Sequence, residues 1–179
     1  MQNRVSEAEE KRYAELQSMA IEFARNGETE SLAQMLDHGL PVNLADAKGN
    51  SLLMLASYNG NLETARMLLQ HGAEVDRRND RGQTPLGGVA FKGYGEILAL
   101  LLDYNANIDA DNGGGMTPLM FAAMFGRGKV VEQLKARGAS LQLRNRLGLS
   151  ANFMVRVQQW MARLFGKPRT ATGPHPAKT

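Results

Sequence analysis

Apolar residues recur at helical spacing in two well-formed blocks. One holds Leu62, Ala65, Met67, Leu68 and Leu69; the next holds Ile97, Leu98, Leu100, Leu101 and Leu102. Side chains three and four apart share a helix face, so each block predicts an amphipathic helix. The blocks end at Gly72 and Asn105, and Gly138 takes the same place in the next copy. Glycine closes a helix in the left-handed conformation without a Cβ clash, and Asn tolerates that conformation best after glycine. Ahead of each block lies a shorter predicted helix. Thr84-Pro85 and Thr117-Pro118 open two of these. The threonine suits the N-cap, and the proline suits the first helical position, where a missing N–H costs nothing. These short helices stop at Gly60, Gly93 and Gly126.

The punctuating residues keep one period. Gly49, Gly82, Gly115 and Gly148 are 33 residues apart, as are Gly27, Gly60, Gly93 and Gly126, and a third series runs Gly39, Gly72, Asn105, Gly138. Three phases at one interval denote an internal repeat, and a repeat of this length denotes a stacked solenoid. Such a stack offers an extended surface in place of a single pocket.

The motif Gly-x-Thr-Pro-Leu at Gly82–Leu86 and Gly115–Leu119 is joined by Ala122-Ala123 and by Leu-Leu-x-x-Gly-Ala-x-Val-Asp at Leu68–Asp76. Together they resemble the ankyrin repeat over about residues 16 to 165. The resemblance implies an all-α solenoid of stacked helix-turn-helix units with projecting β-turn or hairpin fingers. The histidine usual after Thr-Pro-Leu is absent: Met54, Gly87 and Met120 stand there. That departure bears on hydrogen bonding at each helix start, not on the fold.

The register divides a single domain, residues 1–165. Residues 1–48 form an N-terminal cap helix and a degenerate first repeat, followed by repeats 49–81, 82–114 and 115–147. A C-terminal half-repeat cap spans 148–165, its helix covering about Leu149–Phe165. Residues 166–179, with Pro168, Pro174 and Pro176, read as a disordered basic tail. Ser6-Glu7-Ala8-Glu9 matches a capping box and predicts a charged helix running into Phe23.

Composition narrows the chemistry. The chain of 179 residues has no cysteine, which excludes disulfides, thiol catalysis and cysteine metal sites. It has neither an apolar run of membrane-spanning length nor a signal-peptide pattern. The expectation is a cytoplasmic, monomeric protein, with a secreted effector as the alternative. Charge is unevenly spread: residues 1–132 hold all 18 acidic and 12 of the 21 basic side chains, whereas residues 133–179 hold nine basic and no acidic side chains. That asymmetry is compatible with an anionic partner or with solubility alone.

Enzyme signals are lacking, and no catalytic, metal or cofactor site is assigned. His38 and His71 lie one repeat apart beside terminating glycines, where a helix C-terminus favours positive charge, and His175 lies in the tail. Gly113-Gly114-Gly115 lacks the Gly-Lys-Ser/Thr of a phosphate-binding loop.

The resemblance implies that partners bind the concave side, built from the fingers and the first helix of each repeat. By register, the exposed positions nine and ten after the opening glycine form two columns: Arg25, Tyr58, Phe91, Met124 and Asn26, Asn59, Lys92, Phe125. Aromatic residues and Met are enriched at interface cores. Tyr58, Phe91, Lys92, Met124 and Phe125 are therefore the expected partner contacts, with finger-tip Arg77, Arg78, Arg81, Arg144 and Arg146 as candidates for carboxylates or phosphates. The function expected is non-catalytic protein–protein interaction as an adaptor, inhibitor or regulatory subunit. The alternative is binding of nucleic acid or an anionic membrane by the basic last third.

Three further expectations concern structure. Asp46, Asn79, Asn112 and Asn145 share one register and are expected to bond the finger backbone. Gly87 and Gly88 inside a helix predict either a weak third repeat or a close packing contact. In the last helix Phe153, Val157, Trp160, Met161 and Leu164 lie on one side, expected to cover the face of repeat four, or alternatively to rest on an anionic membrane or partner.

Overall fold

The computed structural model of the protein describes residues 7–165. The capping-box serine Ser6, the tail 166–179 and His175 lie outside the described residues. Helices α1 (Glu7–Asn26), α3 (Leu52–Asn59), α5 (Pro85–Lys92), α7 (Pro118–Met124) and α9 (Ala151–Phe165) stack in one layer. Helices α2 (Thr29–Asp37), α4 (Leu62–Gln70), α6 (Gly95–Asp103) and α8 (Gly128–Ala136) stack in the second. Helix α1 runs to Asn26 rather than Phe23, because Gly27, at φ 81°, is the first residue that ends it.

Local chemistry sets each boundary. Ser51, Thr84 and Thr117 cap α3, α5 and α7, their hydroxyls accepting from the amides of Met54, Gly87 and Met120. The missing histidine therefore leaves the helix starts intact. Gly39, Gly72 and Gly138 follow the second helices at positive φ, and Asn105 (φ 63°) is the one non-glycine residue there among those described. Gly27 and Gly93 have a second constraint. Asn61 of the following repeat lies against Gly27 and donates to the carbonyls of Ala24 and Arg25, at 3.1 and 2.9 Å. Arg127 lies against Gly93 and donates through Nε to the Phe91 carbonyl at 2.9 Å. Each next repeat thus satisfies helix-end carbonyls that would otherwise lack a partner.

The core repeats with the sequence. Leu53, Leu86 and Leu119 are buried at one register and Leu68, Leu101 and Leu134 at another. Burial of each such side chain contributes roughly 1.5–3 kcal/mol. Adjacent repeats are also laced by polar bonds: the side chains of Asn43, Asp76 and Asp109 accept from the amides of Glu74, Asn107 and Ser140.

The fingers carry isolated β-bridges, Ala45 with Ser51 and Arg144 with Ser150. Asp46, Asn79 and Asn145 bond their own turns as expected, each Oδ1 accepting the amides two and four residues on. Asn112 departs from this. Asp111 takes the turn role, accepting from Gly113 and Gly115. Gly113, Gly114 and Gly115 all adopt positive φ, which lets the turn begin one residue early. Asn112 is thereby turned inward and is 4% exposed.

Candidate protein-binding groove

The column read from register becomes a ladder of rings. Tyr58 on α3 and Phe91 on α5 lie near-parallel, centroids 6.3 Å apart with planes 8° apart. Phe91 and Phe125 meet edge to face at 4.3 Å. Such pairs add about 0.5–1.5 kcal/mol beyond area burial. Tyr58 is 41% exposed and Phe125 40%, while Phe91 between them is half-buried. Met124 is exposed beside Phe125. The Lys92 ammonium lies 4.9 Å from the Tyr58 ring centre and 5.8 Å from that of Tyr94, cation–π geometry that leaves a positive charge at the groove edge.

Gly88 fits this arrangement: a Cβ there would lie 3.2 Å from Tyr58 Cδ2. The rings border a groove of about 550 Å³ whose other wall is finger backbone and side chains, among them Lys48, Asn50, Asp80 and Arg81. Phe121 also lines it. Register columns nine and ten miss Phe121, which sits six residues after its opening glycine, at a position filled by Gly88 in the preceding repeat.

The five finger arginines divide. Arg81 lines the groove, and neither it nor Arg146 forms a side-chain hydrogen bond or ion pair among the described residues. Arg78 instead ties finger two to finger three, donating to the Asp111 carbonyl at 2.6 Å. Arg144 donates to the Gly148 carbonyl at 2.6 Å, and Arg77 pairs with Glu74 at 3.6 Å. Arg25, at the N-terminal end of the column, bridges Glu22 and Asp46. Burial would raise the Asp46 pKa, but bonds from the Asn50 side chain, the Lys48 and Asn50 amides and Arg25 hold it below its ordinary value.

Helix α9 overturns one expectation. It packs on α7 through Ala151 and Val155, with Met154, Gln158 and Ala162 partly covered. Phe153, Val157, Trp160, Met161 and Leu164, the stripe expected to lie on repeat four, all remain exposed. The reason is register: Val157 stands nine residues after Gly148 and so continues the column of Tyr58, Phe91 and Met124. A second groove of about 670 Å³ lies between Met124–Phe125 and α9, lined there by Phe153, Val157, Met161 and Phe165. The position that buries Leu86 and Leu119 in earlier repeats holds exposed Asn152 in α9, so the polar side of the helix is where another repeat would have packed.

On the opposite layer His71 joins two helix ends. Its Nδ1 lies 2.8 Å from the Met67 carbonyl and its Nε2 3.3 Å from Asp37. The bond to Met67, then that to Asp37, raises the His71 pKa above 6.5. Arg137 repeats the link to Asp103 at 2.9 Å two repeats on.

Tandem helix pairs at a 33-residue period, two of them opened by Thr-Pro, and joined by fingers define a helical repeat protein with a groove between its fingers and its first-helix layer. A family model for ankyrin repeats in three copies matches residues 6–79 and 71–145. The chain belongs to the ankyrin repeat family. It is also similar to a putative ankyrin repeat protein, PA3287, of Pseudomonas aeruginosa, with 55% identity over 38 residues. That match spans 21% of this chain and 22% of the relative. Ankyrin repeats are in general protein–protein interaction modules and generally non-catalytic. No described helix is long and apolar enough to cross a membrane.

Proposed function

We propose that this protein is a non-catalytic adaptor, inhibitor or regulatory subunit that holds an apolar segment of a protein partner along its concave groove. The observation that carries the reading is the Tyr58–Phe91–Phe125 ladder, aromatic surface kept open to solvent by the stack. Phe91 is the central anchor, flanked by Met124 and by Lys92. Arg81 supplies the contact to a carboxylate on the partner. The exposed faces of these rings forgo the burial that a core position would give them, whereas buried aromatic anchors dominate interface energies.

The test is affinity capture from the source cell, wild type beside Phe91→Ala/Phe125→Ala, followed by affinity measurement on the purified partner. A hot-spot contact of at least about 2 kcal/mol predicts a loss of roughly 30-fold per anchor, with unchanged unfolding cooperativity. Equal capture by the two proteins would remove the groove from consideration.

A further inference from the structure

The C-terminal end of the stack carries apolar surface that the groove reading does not use. Leu147, at the tip of the fourth finger, is 81% exposed, and Trp160 in α9 is 58% exposed. From Leu147 the chain leads through Leu149 and Phe153 to Trp160, Leu164 and Phe165, all exposed. Helix α9 has 15 residues, against eight in α3 and α5 and seven in α7. The position of the usual stop glycine is Gln159, so the helix continues for about 10 Å beyond its neighbours, at 1.5 Å per residue. Trp160, Leu164 and Phe165 sit on that projection.

Charge surrounds this ridge with one sign. Arg156 and Arg163, seven residues apart, run along one border of the stripe, and Arg146 precedes Leu147 in the finger. Arg156 and Arg163 are exposed and form no side-chain hydrogen bond or ion pair among the described residues. No acidic residue occurs after Glu132, while the preceding part of the chain is net negative. We infer that finger four and α9 form a docking surface for an anionic lipid bilayer, with Trp160, Leu164 and Leu147 entering the interface and Arg146, Arg156 and Arg163 meeting the headgroups.

Three observations favour lipid over the other anionic surfaces. A duplex presents phosphates and no apolar phase, and a single strand stacks bases on an aromatic ring but offers nothing to Leu147 and Leu164, so nucleic acid leaves most of the ridge in water. The unpaired cations Arg146, Arg156 and Arg163 are spread over finger four and the length of α9, which suits a laterally uniform anionic surface more than one fixed carboxylate. An amphipathic helix with Trp and Leu on one face and Arg at its border has the composition of interfacial helices. The negative charge of the first repeats would turn them away from an anionic bilayer, leaving the concave groove free for a protein partner.

Trp160 is the only tryptophan in the chain, so its emission reports on this site. The experiment is titration of the full chain with vesicles of equal parts phosphatidylglycerol and phosphatidylcholine, beside phosphatidylcholine alone and double-stranded DNA. The expected result is a blue shift with the anionic vesicles only, reversed by high salt. Arg156→Gln and Arg163→Gln should each weaken partitioning about fivefold. Leu164→Ser should reduce it with Trp160 still in place, and Phe91→Ala should leave it unchanged, which separates this surface from the groove. Urea unfolding confirms that the variants are folded. Absence of a shift with anionic vesicles, an equal shift with neutral ones, or a shift with DNA but not vesicles would overturn the inference.

Discussion

The side chain of Asn112 lies over Gly87, in the space a β-carbon at position 87 would occupy. Its Oδ1 accepts from the Thr84 amide at 2.7 Å and the Thr84 hydroxyl at 3.0 Å, and its Nδ2 donates to the Ala110 carbonyl at 2.8 Å. One buried amide therefore joins the third finger to the start of α5. The position left without the usual histidine is filled by the finger that closes the same repeat.

That contact predicts an inverted glycine effect. Ala in place of Gly inside a helix ordinarily stabilises by about 1 kcal/mol. Gly87→Ala should instead destabilise by about 1–3 kcal/mol, because it expels a buried amide from its partners. Asn112→Ala should cost a similar amount by leaving the Thr84 amide unpaired. The two losses should combine to less than their sum in urea unfolding, since both remove one contact. Hydrogen exchange in α5 should match that in α3 and α7, as the glycines there are packed.

Asn105 offers a simpler test. It holds φ 63° at a helix end where the other repeats use glycine. Asn105→Gly should raise stability by up to about 1 kcal/mol, and Asn105→Ala should lower it by about 1 kcal/mol, since Gly has no Cβ to clash in the left-handed conformation and Ala tolerates it less well than Asn. Thermal unfolding of the two variants measures the difference.

The His71 link should fade with rising pH. Its folded pKa lies above the ordinary 6.5, so its contribution is complete below about pH 6.5 and is lost as pH rises through the folded value. His71→Gln should therefore be less stable than wild type in mild acid, and the gap should close in mild base. A gap that stays constant across that range would show that packing, not the bonds to the Met67 carbonyl and Asp37, is responsible.

Asp46 predicts the opposite slope. Its folded pKa lies below the ordinary 3.8, so its contribution is present above about pH 3.8 and is lost as pH falls through the folded value. Asp46→Asn keeps the turn bond made by Asn79 and Asn145 but removes the bridge to Arg25. The variant should trail wild type by a fixed amount at neutral pH and converge with it in acid. Guanidinium or urea midpoints across pH measure this.

Much of the protein is legible along the chain, because a solenoid repeats the same short-range contacts. Thr84-Pro85, Gly93 and Asn105 mark helix ends through backbone rules that act within a few residues. The register alone aligned Tyr58, Phe91 and Met124, since equivalent positions in stacked units face the same way. Ring geometry, the entry of Arg81 into the groove and the retirement of Arg78 and Arg144 into backbone bonds required the folded stack. So did Asn112, whose role changed because three consecutive glycines moved a turn by one residue, and α9, whose apolar stripe has helical spacing on paper but faces solvent. Periodicity states which side chains share a face; only packing between repeats decides whether anything lies against it.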